Sequence, residues 1–254
     1  MLQLLLLLPL GILAGLLSGL LGIGGGLIFS PLLLALGLAP HQALATSTLA
    51  IVPTTAAGAW AHWRQGRLPL APSLAIGLAA LISAPIFASV GRILTDWHLL
   101  ALQAVMYALV SLSVRPRQQA QEATDAIPPL PLPGLALLGL VAGMAGGLLG
   151  LGGGLVMVPL MVNLLQVPIH LAIRLSTVAV FLASSGAGTL LVVEGRALLL
   201  PALLLGGLAS LASRWAAARL QRISPQRLAW LLRLLAMALT VDSGRRAVAL
   251  WLQA

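Results

Sequence analysis

The chain has no cysteine and no lysine, only five acidic residues in 254, and no charged side chain before Arg64. Each absence removes a class of explanation. Without cysteine there is neither a disulfide framework nor a thiolate metal site. The four histidines are scattered, with no HxxxH-type spacing, so neither a metal site nor a cofactor is expected. Asp96, Glu194 and Asp242 stand at the ends of apolar runs and no carboxylate lies deep within one. A carboxylate proton relay is therefore not visible, and no His, Asp, Glu or Ser–base constellation marks a catalytic residue. The net charge of +9 is carried by arginine alone. In a soluble chain that balance would suggest nucleic acid. Here the arginines flank apolar runs, where they snorkel and set topology, so no nucleic-acid partner is expected.

What the chain does contain is long uncharged apolar sequence. It is 60% hydrophobic and 7% charged, against about 25% charged in soluble domains. Uncharged runs of about 18 residues or more read as transmembrane helices. The expected fold class is an all-α, polytopic integral membrane protein with about 8–10 transmembrane or re-entrant helices. The lipid bilayer is then its first partner, and self-association into a homo-oligomer stays open. The opening MLQLLLLLPLGILAG is like a signal-peptide core but lacks a basic n-region, and is read as a retained first helix.

Glycine organises these runs. Gly15, Gly19, Gly22, Gly24, Gly25, Gly26 and Pro31 recur 128 positions later as Gly143, Gly147, Gly150, Gly152, Gly153, Gly154 and Pro159. The chain reads as two copies of one unit: a first membrane repeat over 1–114, a polar and Pro-rich linker over 115–133, and a second membrane repeat over 134–254. In each copy a span ends at the glycine run, a short apolar piece follows, and Pro40-His41 or Pro168-Ile169-His170 opens the next span. The last span is expected to end near Val241, with the tail after Asp242 at the interface.

Five elements separate the turn at Arg64–Arg67 from the matching turn at Glu194–Arg196, an odd number of crossings. The copies are therefore expected in inverted topology. Placing His62–Arg67, the linker and Arg214–Arg227 in the cytoplasm satisfies the positive-inside rule at every short loop.

Gly15 and Gly19, with Gly143 and Gly147, suit close helix packing. The GxGGG cores at Gly22, Gly24, Gly25, Gly26 and at Gly150, Gly152, Gly153, Gly154 break the helix and expose backbone groups. At membrane depth that is tolerated only where the backbone is buried or lines a cavity, and paired breaks in two halves point to a binding site. The hydroxyls of Thr46, Ser47, Ser176 and Thr177 either bond to carbonyls of their own helix or meet an oxyanion. Arg174, standing where the first copy has Ala45, either snorkels near its helix start or is buried beside a partner or ligand.

GLLGIGGGLIFSPLLLALGLAPHQALATSTLAI followed by a GR turn resembles the TauE/SafE sulfite exporter family, as do GGLLGLGGGLVMVPLMVNLLQVPIHLAIRLSTVAV and the ending LQRISPQRLAWLLRLLAMAL. The resemblance spans nearly the whole chain. It implies a multi-pass permease of the bacterial inner membrane moving a small anion, sulfite or an organosulfur or organic acid. By motif match it implicates Gly22 to Gly26, Pro31, Thr46, Ser47 and their second-copy equivalents, including Pro159. Leu175-Ser176-Thr177 and Arg174 depart from the pattern. A cation or metal permease of the same architecture and a non-transporting membrane subunit are the alternatives.

Overall fold

The computed structural model describes residues 2–66, 68–113 and 130–252, with side chains from Pro9 onward. Among these residues there are helices and no strands, as an apolar solvent demands of a chain that must satisfy its own backbone. Ten α-helices follow in order: α1 (Leu2–Leu21), α2 (Gly26–Ala35), α3 (Pro40–Arg64), α4 (Leu70–Val90), α5 (Asp96–Ser113), α6 (Leu132–Leu149), α7 (Gly154–Leu164), α8 (Ile169–Val193), α9 (Leu199–Arg219) and α10 (Pro225–Trp251). Four of them, α4, α6, α8 and α9, are long and apolar enough to cross a membrane by themselves. Residues 115–129 of the expected linker, and Arg67 of the first basic turn, lie outside the described residues.

The elements recur as the glycines do. Helices α3 and α8 are both 25 residues long, α4 and α9 both 21, and each of the latter ends in a three-residue 3-10 turn, at Gly91–Ile93 and Leu220–Arg222. Helices α2 and α7, of 10 and 11 residues, are roughly 15 Å long, half a hydrocarbon core. One expectation is corrected. Helix α10 does not stop near Val241 but runs unbroken to Trp251. Asp242 pairs with Arg245 at 3.3 Å and Arg246 at 2.9 Å, three and four residues on, and this satisfies the charges along the helix itself.

Glycine-mediated contacts give the helix directions. Gly15 and Gly19 of α1 lie on the backbone of Ala209 and Ser213 of α9, so these helices are parallel. Gly139, Gly143 and Gly147 of α6 meet Ile76, Ala80 and Ala84 of α4, again in ascending order. Gly206 of α9 meets Ala50 of α3 while Gly58 of α3 meets Ser213, another parallel pair. Gly77 of α4 meets Leu182, and Gly186 of α8 meets Leu81 and Pro85. Between α3 and α8 the order reverses: Gly58 meets Thr177, but Gly188 meets Leu49. Helices α1, α3 and α9 thus run one way and α4, α6 and α8 the other. The small-residue faces of α1 and α6 each serve the opposite half of the chain, where the missing Cβ atoms let backbones approach.

Charge divides the two ends. The linker end carries Arg64, Arg214, Arg219, Arg222 and Arg227, and among the described residues it has no carboxylate. Exposed Trp60, Trp63, Trp215 and Trp230 stand at the same end, like an interfacial belt. Asp96, Glu194 and Asp242 all lie toward the other end, Glu194 and Asp242 paired with arginines and Asp96 Oδ1 3.5 Å from His41 Nε2. Between the ends α4 turns Leu74, Leu78, Ile82 and Ile86 outward, a surface suited to acyl chains.

Candidate functional site at the glycine breaks

Each glycine run stops one helix and starts another through left-handed backbone. Gly22, Gly24 and Gly25 have φ of 67°, 81° and 81°, and Gly150, Gly152 and Gly153 repeat this at 65°, 70° and 76°. An L side chain is strained at such angles, so these turns call for glycine. Gly25 and Gly153 then stand as N-caps without a side-chain cap, which leaves the first amides of α2 and α7 at the positive ends of two short helices.

The two breaks touch. A Cβ on Gly154 would lie 2.5 Å from the Gly22 carbonyl oxygen, and one on Gly26 3.2 Å from that of Gly150. Two serines tie the contact across the halves. Ser176 Oγ donates to the Gly22 carbonyl at 2.8 Å, while Ser47 Oγ lies 3.2 Å from the Gly150 carbonyl and 3.4 Å from that of Gly26. Ser47 and Ser176 are each seven residues from the start of a 25-residue helix, about 10 Å in. Because α3 and α8 are antiparallel, the breaks are held between those depths, away from both ends. Ile51 and Val180 close over Gly24 and Gly152 from either side.

The other expected residues distribute unequally. Thr177 Oγ1 donates to the Ile173 carbonyl of its own helix at 2.8 Å. Thr46 accepts the Leu198 amide at 3.0 Å and so secures the α8–α9 turn rather than a break. Pro31 and Pro159 sit inside α2 and α7, beyond the breaks, where each withholds an amide from the carbonyl four residues back. Arg174 is 8% exposed, five residues into α8. Thr48 was not anticipated. It is the counterpart of Thr177 and likewise bonds back, to Leu44, at 2.9 Å. The offset of 129 on this side of the one-residue insertion pairs Ser47 with Ser176 and Thr48 with Thr177, and leaves Thr46 opposite Leu175.

On the end away from the linker, a cavity of about 10 Å³ reaches the second break, lined by Ala45, Thr48, Leu191 and Gly150. It has room for roughly one water. His41 and Arg196 stand at its mouth. His41 donates through Nε2 to the Leu94 carbonyl at 3.0 Å and accepts Arg196 at Nδ1 at 3.3 Å. Arg196 also holds Glu194 at 3.2 Å and the Ala88 carbonyl at 3.3 Å, and Glu194 pairs with Arg92. Arg196 and Glu194 come from the α8–α9 turn, His41, Ala88 and Arg92 from the first half, so this cluster fastens that end across the halves.

Paired helix breaks packed inside an all-helical, lipid-facing bundle define a class: polytopic membrane transporters whose irregular backbone lies at depth. The model of the sulfite exporter TauE/SafE family matches residues 7–242. The chain belongs to the TauE/SafE sulfite exporter family. A probable membrane transporter protein of Xylella fastidiosa is 31% identical over 174 residues, 67% of each chain. The probable membrane transporter protein YunE of Bacillus subtilis is 28% identical over 199 residues, covering 69% of this chain and 73% of its own. A shorter match, 38% over 74 residues and 16% of the relative's length, is to Sulfite exporter TauE/SafE family protein 3 of Arabidopsis thaliana.

Proposed function

We propose that the protein is a permease of the bacterial inner membrane for a small oxyanion, sulfite or an organosulfur or organic acid anion, carried between two inverted repeats at their paired glycine breaks. The observation that carries this reading is the abutment of the two glycine breaks, each opening an uncapped helix N-terminus, with Ser47 and Ser176 beside them. Helix N-termini present amides and a positive dipole end to anions. The opposite directions of α1 and α6, of α3 and α8, and of α4 and α9 support the inverted arrangement. The arginine-rich linker end, without a carboxylate among the described residues, supports a cytoplasmic placement of that end.

The test is flux. Purified protein in proteoliposomes should give saturable uptake of at least one of sulfite, sulfoacetate and acetate above empty vesicles, and none of a monovalent or divalent cation. Saturable cation uptake without anion uptake would overturn the reading.

A further inference from the structure

A second group of polar side chains gathers beside the breaks on the linker side. A Cβ at Gly58 of α3 would stand 3.1 Å from Ser213 Oγ of α9 and 3.1 Å from Thr177 Cγ2 of α8. One turn further along α3 comes His62, and one turn back along α8 comes Arg174. Since these helices are antiparallel, both steps lead the same way, and the charge of Arg174 acts on His62. His62 is 1% exposed, Ser213 0% and Arg174 8%. His62 Nε2 and Ser213 Oγ have no hydrogen-bond partner among the described residues. Native structures seldom leave buried polar atoms in that state, because their desolvation goes uncompensated.

The equivalent group on the opposite side of the breaks is an internal control. At the corresponding positions, 129 apart, it has Leu191 for His62, Ala84 for Ser213 and Ala45 for Arg174. The packing bears out the correspondence: Gly19 lies on the Ser213 carbonyl as Gly147 lies on the Ala84 carbonyl. All three counterparts are buried, and Ala45 and Leu191 line the small cavity on the opposite side. The scaffold therefore holds with apolar residues at these places, and packing alone does not call for a histidine, a serine and an arginine.

We infer that His62, Ser213 and Arg174 form an oxyanion-binding half-site on the linker side of the breaks, with no counterpart at the equivalent positions on the other side. This rests on the anion-permease reading. A hydroxyl, an imidazole N–H and a guanidinium together offer donors and positive charge to a small ligand with several acceptor oxygens. Sulfite, a sulfonate head and a carboxylate share that chemistry. Thr177 directs its hydroxyl back into α8 and turns its methyl toward Gly58, so it closes the site without competing for the ligand.

The test uses the full chain in proteoliposomes with sulfite, sulfoacetate and acetate, and in detergent with the same anions as thermal-shift ligands. Ser213→Ala, His62→Leu and Arg174→Ala each install the residue of the other half. Each is expected to raise the anion KM about tenfold or more, the equivalent of one lost hydrogen bond to a charged group, and to shrink the anion-induced rise in Tm. His62→Gln, which keeps an N–H donor, should recover most of the affinity. Ser213→Ala removes a single oxygen and decides the matter if the larger changes impair folding. Saturable wild-type uptake with KM within about twofold in Ser213→Ala and His62→Leu would overturn the half-site and leave the permease standing. Absence of both uptake and anion-induced stabilisation in the wild type would overturn the permease reading and the half-site with it.

Discussion

Replacing Gly154 by alanine tests whether the two glycine breaks abut. The new Cβ would lie 2.5 Å from the Gly22 carbonyl oxygen and 2.7 Å from Ile23 Cα. Ordinary contact begins at 3.4 Å, so the opposing backbone must retreat by about 0.9 Å. Neither atom belongs to a flexible side chain, and the retreat pulls on the 2.8 Å bond from Ser176. Overpacking of this kind costs about 1–3 kcal/mol and a weakened hydrogen bond about 1 kcal/mol more. The helical preference of alanine over glycine returns at most about 1 kcal/mol. The net loss is about 1–3 kcal/mol, or a Tm lower by roughly 2–12 °C for a chain of this size. Gly26→Ala should lose less, because its backbone neighbours stand at 3.2 Å and its nearest contact is Ile51 Cδ1, the far end of a side chain. Gly207→Ala is the control: nothing lies within 4 Å of its Cβ position, so Tm should hold or rise slightly. Tryptophan fluorescence during heating in detergent reads all three. Gly154→Ala melting with Gly207→Ala, at or above the wild type, would refute the abutment.

Two further outcomes follow from the same geometry. Ser176→Ala strands the buried Gly22 carbonyl and should cost about 1–3 kcal/mol in thermal or chemical unfolding; Ser47→Ala should cost less, its contacts being 3.2 and 3.4 Å, and the reverse order would contradict the bonding described. Arg64→Cys and Val193→Cys occupy equivalent positions at the ends of α3 and α8 in a chain without other cysteines. A membrane-impermeant maleimide added to whole cells should label Val193→Cys and spare Arg64→Cys, whereas labelling of both would contradict opposed halves.

Much of this architecture is legible in one sequence because lipid leaves the backbone few choices. Uncharged runs must become helices, and three consecutive glycines must end them, so Gly22–Gly26 and Gly150–Gly154 are visible as breaks without coordinates. The odd helix count between Arg64 and Glu194 is equally plain. The partners of the hydroxyls are not. Ser47 and Thr48 are adjacent and chemically alike, yet one bonds across to a break and the other back to Leu44. Only the approach of the second half decides between them. The one-residue insertion before His170 hides the pairing of Ser47 with Ser176, because matching Thr46-Ser47 to Ser176-Thr177 by residue type slips the register by one. His62 and Ser213 lie on helices far apart in the chain and gain meaning only when α3, α8 and α9 pack together. The extension of α10 past Val241 is obscured for another reason: Asp242, Arg245 and Arg246 break the apolar run, and pairing along one helix face removes the cost that composition implies.

The central claim is that a small anion crosses at the paired breaks. Its most direct test is radiolabelled sulfite counterflow in proteoliposomes, comparing wild type with Gly25→Leu and Gly153→Leu. Both positions have left-handed backbone, at 81° and 76°, and Gly153 also faces the Ala142 carbonyl. The account predicts saturable counterflow by the wild type and its loss in both variants, each still inserted in the membrane and monodisperse. Counterflow that persists at the wild-type rate in both variants would contradict it.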